Sequence, residues 1–342
     1  MQREESPAME TGLERIAAKA RREPALRFTS LAHYITPDRV WTNLWKIPNH
    51  SAAGVDGQTV TQAKESFDSW IGPMVQSVHR KGYHAPDIRR VYIPKPGKQE
   101  MRPLGVPTVA DRALQRSTAE VLSAIYEQDF LSCSFGGRPE RSAHKALATL
   151  NEVIAGGKVS WVLEADLKNF FGSLDHSWIL RFVEHRVGDP RLISLIRRWL
   201  KAGILEDGKV HQNEEGTPQG GSISVLLSNV YLHYVLDLWF ERVVKRHLQG
   251  EAYLVRYIDD FVMCFGVVAE IGALPGGLTF TCNARVDQDV NFASSCVDSR
   301  FFPREDAQGR TQGQRTQRGV PRQELAGLQR GLDRKRRCNH VD

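Results

Sequence analysis

The chain has 342 residues, of which 41% are apolar and 25% are charged, and its formal net charge is +6 at pH 7. This apolar content is enough for a buried core in one large domain or two moderate ones. No apolar run is long enough to span a membrane, and the charged start, with Arg3, Glu4 and Glu5, excludes a signal peptide. The five cysteines are scattered without metal-ligand spacing, so we predict a cytoplasmic protein with no membrane partner and no zinc site.

Most of the net positive charge lies near the C-terminus. Residues 304–342 contain ten Lys and Arg residues but five Asp and Glu residues, so they carry five of the six net charges. The overall charge is therefore weak support for nucleic-acid binding by the rest of the chain. A local basic cluster is more informative, and it comprises Arg89, Arg90, Lys95, Lys98 and Arg102.

The first predicted elements are a helix and a basic strand-turn-strand. Leu13, Ile16 and Ala17 give residues 1–28 the pattern of an amphipathic N-terminal helix. Pro and Gly residues in the stretch 91–108 predict a strand-turn-strand that carries Lys95, Lys98 and Arg102. Such cations suit a triphosphate or a nucleic-acid backbone, although a solvated basic loop has the same composition.

The next element is an apolar strand that ends in an acid. Residues 161–165 indicate a buried strand, Asp166 follows it, and Asp175 has the position of a helix N-cap. A carboxylate at the end of an apolar strand is what a metal site requires. A purely structural role for Asp166 is the alternative.

A glycine-rich loop, Gly216-Thr217-Pro218-Gln219-Gly220-Gly221-Ser222, precedes a predicted helix over residues 223–246. Its glycines permit close approach to a ligand, and Gln219 offers a donor and an acceptor beside a base pair. The apolar positions of the helix form one stripe, which we assign to the core.

The most informative tetrapeptide is Tyr257-Ile258-Asp259-Asp260, between the apolar runs 253–255 and 261–263. This pattern predicts a hairpin with two acids at its tip. Crowding two like charges is unfavourable unless a cation neutralises them, so a divalent metal explains the pair better than an ordinary polar turn. Asp166 and Asp259 could then hold two Mg²⁺ ions about 4 Å apart.

These motifs, in this order, resemble the reverse transcriptases encoded by bacterial group II introns, and the likeness runs from Thr29 to Phe265. The segments that carry it, besides the two acidic motifs, are Ile93-Pro94-Lys95-Pro96, residues 102–108, Phe135-Gly136-Gly137-Arg138-Pro139 and Arg141-Ser142-Ala143-His144. The resemblance implies an α+β fold: the fingers and palm of a right-hand polymerase over residues 29–265, with an RRM-like antiparallel sheet, packed helices and no thumb.

The resemblance also implies the site. Asp166, Asp259 and Asp260 would be the catalytic carboxylates, binding two Mg²⁺ ions. Neighbouring side chains on a strand point to opposite faces, so we assign the first two as metal ligands and the third as support, unless the hairpin tip distorts the alternation.

Nucleotide-binding residues follow from the same resemblance. Lys95 and Arg102 would hold the incoming triphosphate, and Gln219 would line the nucleotide site. Either Phe170 or Phe171 would exclude a 2′-hydroxyl and so select deoxynucleotides. The partners that the resemblance implies are an RNA template, a DNA primer, deoxynucleoside triphosphates and group II intron RNA.

Residues 266–342 depart from the family. Helical and strand periodicity fade there, and the Arg, Gln and Gly content indicates out-of-frame translation; a natural basic disordered tail is the alternative. The predicted function is an RNA-directed DNA polymerase impaired by truncation. A non-catalytic, maturase-like RNA-binding protein is the alternative function.

Overall fold

A computed structural model of the chain describes residues 7–94, 101–156, 159–165, 167, 169–212, 216–217 and 221–266. The helices are α1 Pro7–Arg22, α2 Pro37–Trp45, α3 Val60–Glu65, α4 Phe67–His79, α5 Val109–Tyr126, α6 Ala143–Gly156, α7 His176–Arg186, α8 Pro190–Leu200, α9 Ser224–Leu232 and α10 Lys245–His247. The strands are β1 Ile88–Pro94, β2 Met101–Val106, β3 Trp161–Ala165, β4 Ile204–Glu206, β5 Lys209–His211, β6 Ala252–Tyr257 and β7 Asp260–Phe265.

Side-chain caps explain where several helices begin. The Asp175 carboxylate accepts hydrogen bonds from the backbone amides of Ser177 and Trp178, as the sequence predicts. Thr108 caps α5 in the same way. The predicted N-terminal helix is present as α1, which packs against α5.

The first sheet has the strand order β2-β1-β4-β5. The predicted strand-turn-strand is present: β1 and β2 are antiparallel, with Arg89 opposite Val106 and Pro94 opposite Met101. Its turn, residues 95–100, lies outside the described residues. A short parallel pairing between β1 and β4 joins this hairpin to the β4–β5 hairpin.

The second sheet is antiparallel with the order β3-β7-β6. The central strand is therefore β7, which begins with Asp260, and β3 and β6 lie on either side of it. On one face Leu163, Met263 and Leu254 form a buried row. On the opposite face, Ala146 and Leu150 of α6 pack against Val255 of β6.

The sequence interpretation of β3 as a buried strand is therefore wrong for one face. Val162 is 44% exposed and Glu164 is also exposed, whereas Leu163 and Ala165 are buried. Alternate residues of a strand face opposite sides, and β3 is an edge strand of the described sheet, so apolar composition alone did not predict its burial.

The helix predicted over residues 223–246 is confirmed as a continuous helical stretch, but its burial is not limited to one apolar face. Within this stretch α9 is followed by two π-helical segments, His233–Asp237 and Phe240–Val244, and then by α10. The stripe predicted for the core is buried, but so are polar residues on the other sides, including Asn229 and Asp237. The helix contacts both α5 and α7, so it is buried on several sides.

The α+β class is confirmed, and the two sheets with their packed helices agree with the predicted fingers and palm. No helix in the described part of the chain is both long enough and apolar enough to cross a membrane. The expected absence of a thumb concerns residues after Gly266, which lie outside the described ranges.

Candidate active site

The predicted acidic hairpin is present. Tyr257 pairs with Asp260 across a two-residue turn formed by Ile258 and Asp259. Asp259 is half-buried and Asp260 is exposed. Because Asp259 belongs to the turn and not to a strand, the alternation of strand side chains does not place the two carboxylates on opposite faces.

The turn has an unusual backbone. Ile258 has φ +60°, in the left-handed region that β-branched residues rarely adopt. Such a conformation costs of order 1–3 kcal/mol and persists only where surrounding contacts impose it. The contacts around the turn are therefore part of the site.

A glycine loop packs against the turn. A Cβ atom on Gly136 would lie 2.5 Å from Ile258 Cγ1 and 2.6 Å from the Ile258 nitrogen. The preceding residues run beside β6, where the Arg256 amide donates to the Cys133 carbonyl and the Phe135 amide donates to the Arg256 carbonyl. The Phe-Gly-Gly motif thus supports the turn from one side.

The strand β3 ends beside the acidic turn. Ala165, its last residue, lies opposite Phe261, which directly follows Asp260. The predicted carboxylate Asp166 is bonded to Ala165 but lies outside the described residues.

The two phenylalanines after β3 differ in environment. Phe170 is 6% exposed and packs edge-to-face against Tyr231 of α9, with ring centroids 6.3 Å apart. Phe171 is half-buried, and its carbonyl accepts a hydrogen bond from the Thr217 amide at 2.7 Å. Phe170 is thus a core residue, whereas Phe171 keeps an accessible surface.

The start of the glycine-rich loop is tied to the segment after β3. The Gly216 amide donates to the Leu174 carbonyl, and its own carbonyl contacts Nε2 of His176 at 2.5 Å. Thr217 donates through Oγ1 to Ser224, the first residue of α9. The predicted nucleotide contact Gln219 lies outside the described residues.

Of the basic pair predicted to hold a triphosphate, Arg102 is described. It is exposed on β2, opposite Ile93 of β1, and so belongs to the first sheet and not to the sheet of the acidic turn. Its partner Lys95 lies outside the described residues.

The donor set at the turn fits a hard divalent cation, since carboxylate oxygens are the ligands that Mg²⁺ prefers. Asp259 and Asp260 supply two such groups, and at least one of them is open to solvent. The part of the chain that the structure describes contains no cluster of three His, Cys, Asp or Glu side chains. A third carboxylate would have to come from Asp166.

Sequence reasoning missed four polar side chains directly behind the turn: Ser134, Asn229, Asp237 and Arg256. All four are buried. One signal was available, because Arg256 interrupts an apolar strand, and a charged residue in such a run is almost never fully buried without a partner.

Comparison with known proteins identifies the family. A family described as reverse transcriptase (RNA-dependent DNA polymerase) matches residues 93–267. The chain belongs to this family. The family uses divalent metal ions, in agreement with the acidic turn.

Curated relatives of this reverse transcriptase chain confirm the group II intron resemblance. LtrA, a group II intron-encoded protein of Lactococcus lactis subsp. cremoris, is 35% identical over 231 residues, which are 66% of this chain and 38% of LtrA. Protein YkfC of Escherichia coli (strain K12) is 34% identical over 296 residues, covering 76% of this chain and 77% of YkfC. The chain thus spans about two fifths of the length of LtrA.

Proposed function

We propose that this chain is an RNA-directed DNA polymerase of the group II intron type. The observation that carries the proposal is the Asp259-Asp260 turn beside the end of β3. Because β3 and β7 are antiparallel, the residue after Ala165 and the residue before Phe261 leave that pair toward the same end of the sheet. We therefore expect Asp166 to join Asp260 and Asp259 there.

The proposed reaction joins the 3′-hydroxyl of a primer to the α-phosphate of a nucleotide, and pyrophosphate leaves. Two bound Mg²⁺ ions would activate the attacking hydroxyl and neutralise charge on the leaving group. Asp166 and Asp259 would supply the metal ligands, and Asp260 would support them from the first position of β7.

Nucleotide selection is assigned to Phe171. Phe170 is buried against Tyr231, so its ring is not available to a ligand, whereas Phe171 is half-exposed beside Thr217. A rigid ring against the sugar would exclude a 2′-hydroxyl and favour deoxynucleotides. Gln219 would line the same site, two residues after Thr217.

The proposed partners are an RNA template, a DNA primer and deoxynucleoside triphosphates, whose phosphates Lys95 and Arg102 would contact. Group II intron RNA is a further proposed partner, because LtrA is a group II intron-encoded protein. A cytoplasmic location agrees with the unpaired Cys133 and Cys264.

We also propose three segments: a helical extension over residues 1–28, a fingers and palm domain over 29–265, and an aberrant tail over 266–342. The second boundary is supported by the family match, which ends at residue 267. Reading the coding sequence after the Phe265 codon in all three frames tests the frameshift. A continuation with thumb-like amphipathic helices in another frame is the expected result, and its absence from all three contradicts the proposal.

The experiment that tests the catalytic assignment is primer extension on an RNA template with the purified full chain and Mg²⁺. Asp259→Asn should abolish extension, and a chelator should do the same to the wild-type protein. The matched control is Asp207→Asn, because Asp207 is an exposed turn residue with φ +49° between β4 and β5. Extension by Asp259→Asn at the control rate would refute the assignment.

A maturase-like binding protein is the second candidate, supported by the curated relatives from introns. Arg102→Ala separates the two candidates, because its proposed contact is the triphosphate. For a polymerase the variant should raise the KM for nucleotide and leave RNA affinity unchanged. Loss of RNA affinity without any wild-type extension activity would favour the binding protein.

A further inference from the structure

The side chain of Arg256 is fully buried two residues before the turn and uses every hydrogen-bond donor that it has. Its Nε and Nη2 donate to the two carboxylate oxygens of Asp237 at 2.8 and 2.7 Å. Nη1 donates to Asn229 Oδ1 and to the Ile258 carbonyl, each at 2.9 Å. Nη2 also donates to Ser134 Oγ at 2.8 Å.

This network converges on the acidic turn. The Ile258 carbonyl belongs to the residue with the left-handed backbone and directly precedes Asp259. Asn229 extends the network by donating from Nδ2 to the Gly136 carbonyl at 2.8 Å. The guanidinium thus holds the turn directly, through its hydrogen bond to Ile258. Through Asn229 it also holds Gly136, the glycine that packs on the turn.

Core packing alone does not explain an arginine here. A buried ion pair often contributes no more to stability than apolar side chains of similar volume. An apolar side chain at position 256 could fill the space but could not bond the Ile258 carbonyl. What the guanidinium supplies is a fixed planar fork with five donors, which sets the direction of each acceptor.

We propose that Arg256 is a positioning residue for the acidic turn. Paired with Asp237, it holds the Ile258 carbonyl and thereby fixes the left-handed turn that presents Asp259 and Asp260 to a divalent cation. The role in metal binding rests on the proposed function, whereas the role in holding the turn does not.

Four variants of the full chain test this inference. Arg256→Lys keeps the charge but loses the fork, and Ser134→Ala removes one acceptor of the guanidinium. Ser228→Ala is the matched control, because Ser228 is equally buried, precedes Asn229 and has no hydrogen-bond partner for its hydroxyl among the described residues. Asp259→Asn reports on the metal site itself.

For each variant, two quantities are measured in addition to a thermal unfolding curve. Amide hydrogen exchange of a peptide spanning residues 253–262 reports on the turn, and titration with Mn²⁺ alone, followed by electron paramagnetic resonance, reports on cation affinity. We expect faster exchange and about 10- to 100-fold weaker Mn²⁺ binding in Arg256→Lys. Ser134→Ala should change both readouts in the same direction by a smaller amount. Its thermal unfolding curve should match that of the Ser228→Ala control.

Exchange and Mn²⁺ affinity equal to the control in both variants would overturn the inference. If Arg256→Lys does not fold, Ser134→Ala decides on the same readouts. Wild-type Mn²⁺ affinity in Asp259→Asn would instead overturn the proposed metal site. Exchange at the turn would then decide alone whether Arg256 holds it.

Discussion

The Tyr83 hydroxyl donates a hydrogen bond to Oδ1 of Asp111 at 2.6 Å, in a part of the core where the carboxylate is 1% exposed. The same oxygen accepts from Trp199 Nε1 at 2.8 Å, and Oδ2 accepts from Gln115 Nε2 at 2.9 Å. Burial raises the pKa of Asp111, and the three hydrogen bonds oppose that shift. One carboxylate near the start of α5 thus ties that helix to α8 and to the chain after α4.

Replacing Asp111 tests this arrangement. Asp111→Ala leaves three buried donors without an acceptor and should lower the free energy of unfolding by about 2 to 5 kcal/mol. Asp111→Asn should cost about 1 kcal/mol, because its oxygen still accepts and its amide can donate to Gln115 Oε1, which lacks a partner among the described residues. Urea unfolding measures both, with the exposed Asp68→Ala as control. If both variants lost the same free energy of unfolding, the acceptor oxygen that Asp111→Asn retains would make no contribution to stability.

Gly136→Ala should disturb the acidic turn. Its Cβ would meet the backbone and side chain of Ile258 at 2.6 and 2.5 Å, so the turn must move. We expect a loss of about 1 to 3 kcal/mol in the free energy of unfolding and slower primer extension. The control is Gly72→Ala in α4, where a Cβ meets nothing within 4 Å and helix propensity should rise. An unchanged extension rate in Gly136→Ala would contradict the close packing.

Phe171→Val should relax the selection against ribonucleotides. A smaller side chain leaves room for a 2′-hydroxyl, so the ratio of ribonucleotide to deoxynucleotide incorporation should rise by about 10-fold or more. Phe170→Leu is the control, since it should lower stability by about 1 kcal/mol without changing that ratio. Single-nucleotide incorporation assays measure the ratio. The opposite pattern would assign the sugar contact to Phe170.

His233 should make stability depend on pH. The pKa of His233 is lowered to about 4, mainly by burial; Asp237 opposes this shift, and Arg256, Arg242 and Arg138 add to it. In the unfolded chain, His233 takes up a proton near pH 6.5. The contribution of the neutral histidine to the free energy of unfolding is therefore fully present above pH 6.5. That contribution falls as the pH drops from 6.5 toward 4, by up to about 3 kcal/mol.

Unfolding of wild type and of His233→Phe between pH 7 and pH 4 tests this expectation. The difference in the free energy of unfolding between the two proteins should shift in favour of the variant as the pH falls. His247→Gln, at an exposed position in α10, should follow the wild-type curve. Parallel curves for wild type and His233→Phe would show that this side chain does not take up its proton on unfolding.

Several parts of the structure followed from the sequence because they depend on neighbours in the chain. The hairpin that carries Asp259 and Asp260 was predicted from two apolar runs around a short polar turn, and Asp175 was predicted as a cap from its place before α7. Hydrogen bonds within a few residues decide both features. Asp166, Lys95 and Gln219 remain predictions, since they lie outside the described residues.

Tertiary structure decided what depends on distant partners. Phe170 and Phe171 are chemically identical, and only the packing of Phe170 against Tyr231, some sixty positions later in the chain, separates a core ring from an accessible one. In the sequence, Arg256 is a single charge within an apolar strand. Only the tertiary structure places its hydrogen-bond partners Asp237 and Ser134 beside it. Burial and hydrogen bonding of a side chain depend on which elements pack around it, and local periodicity does not determine that packing.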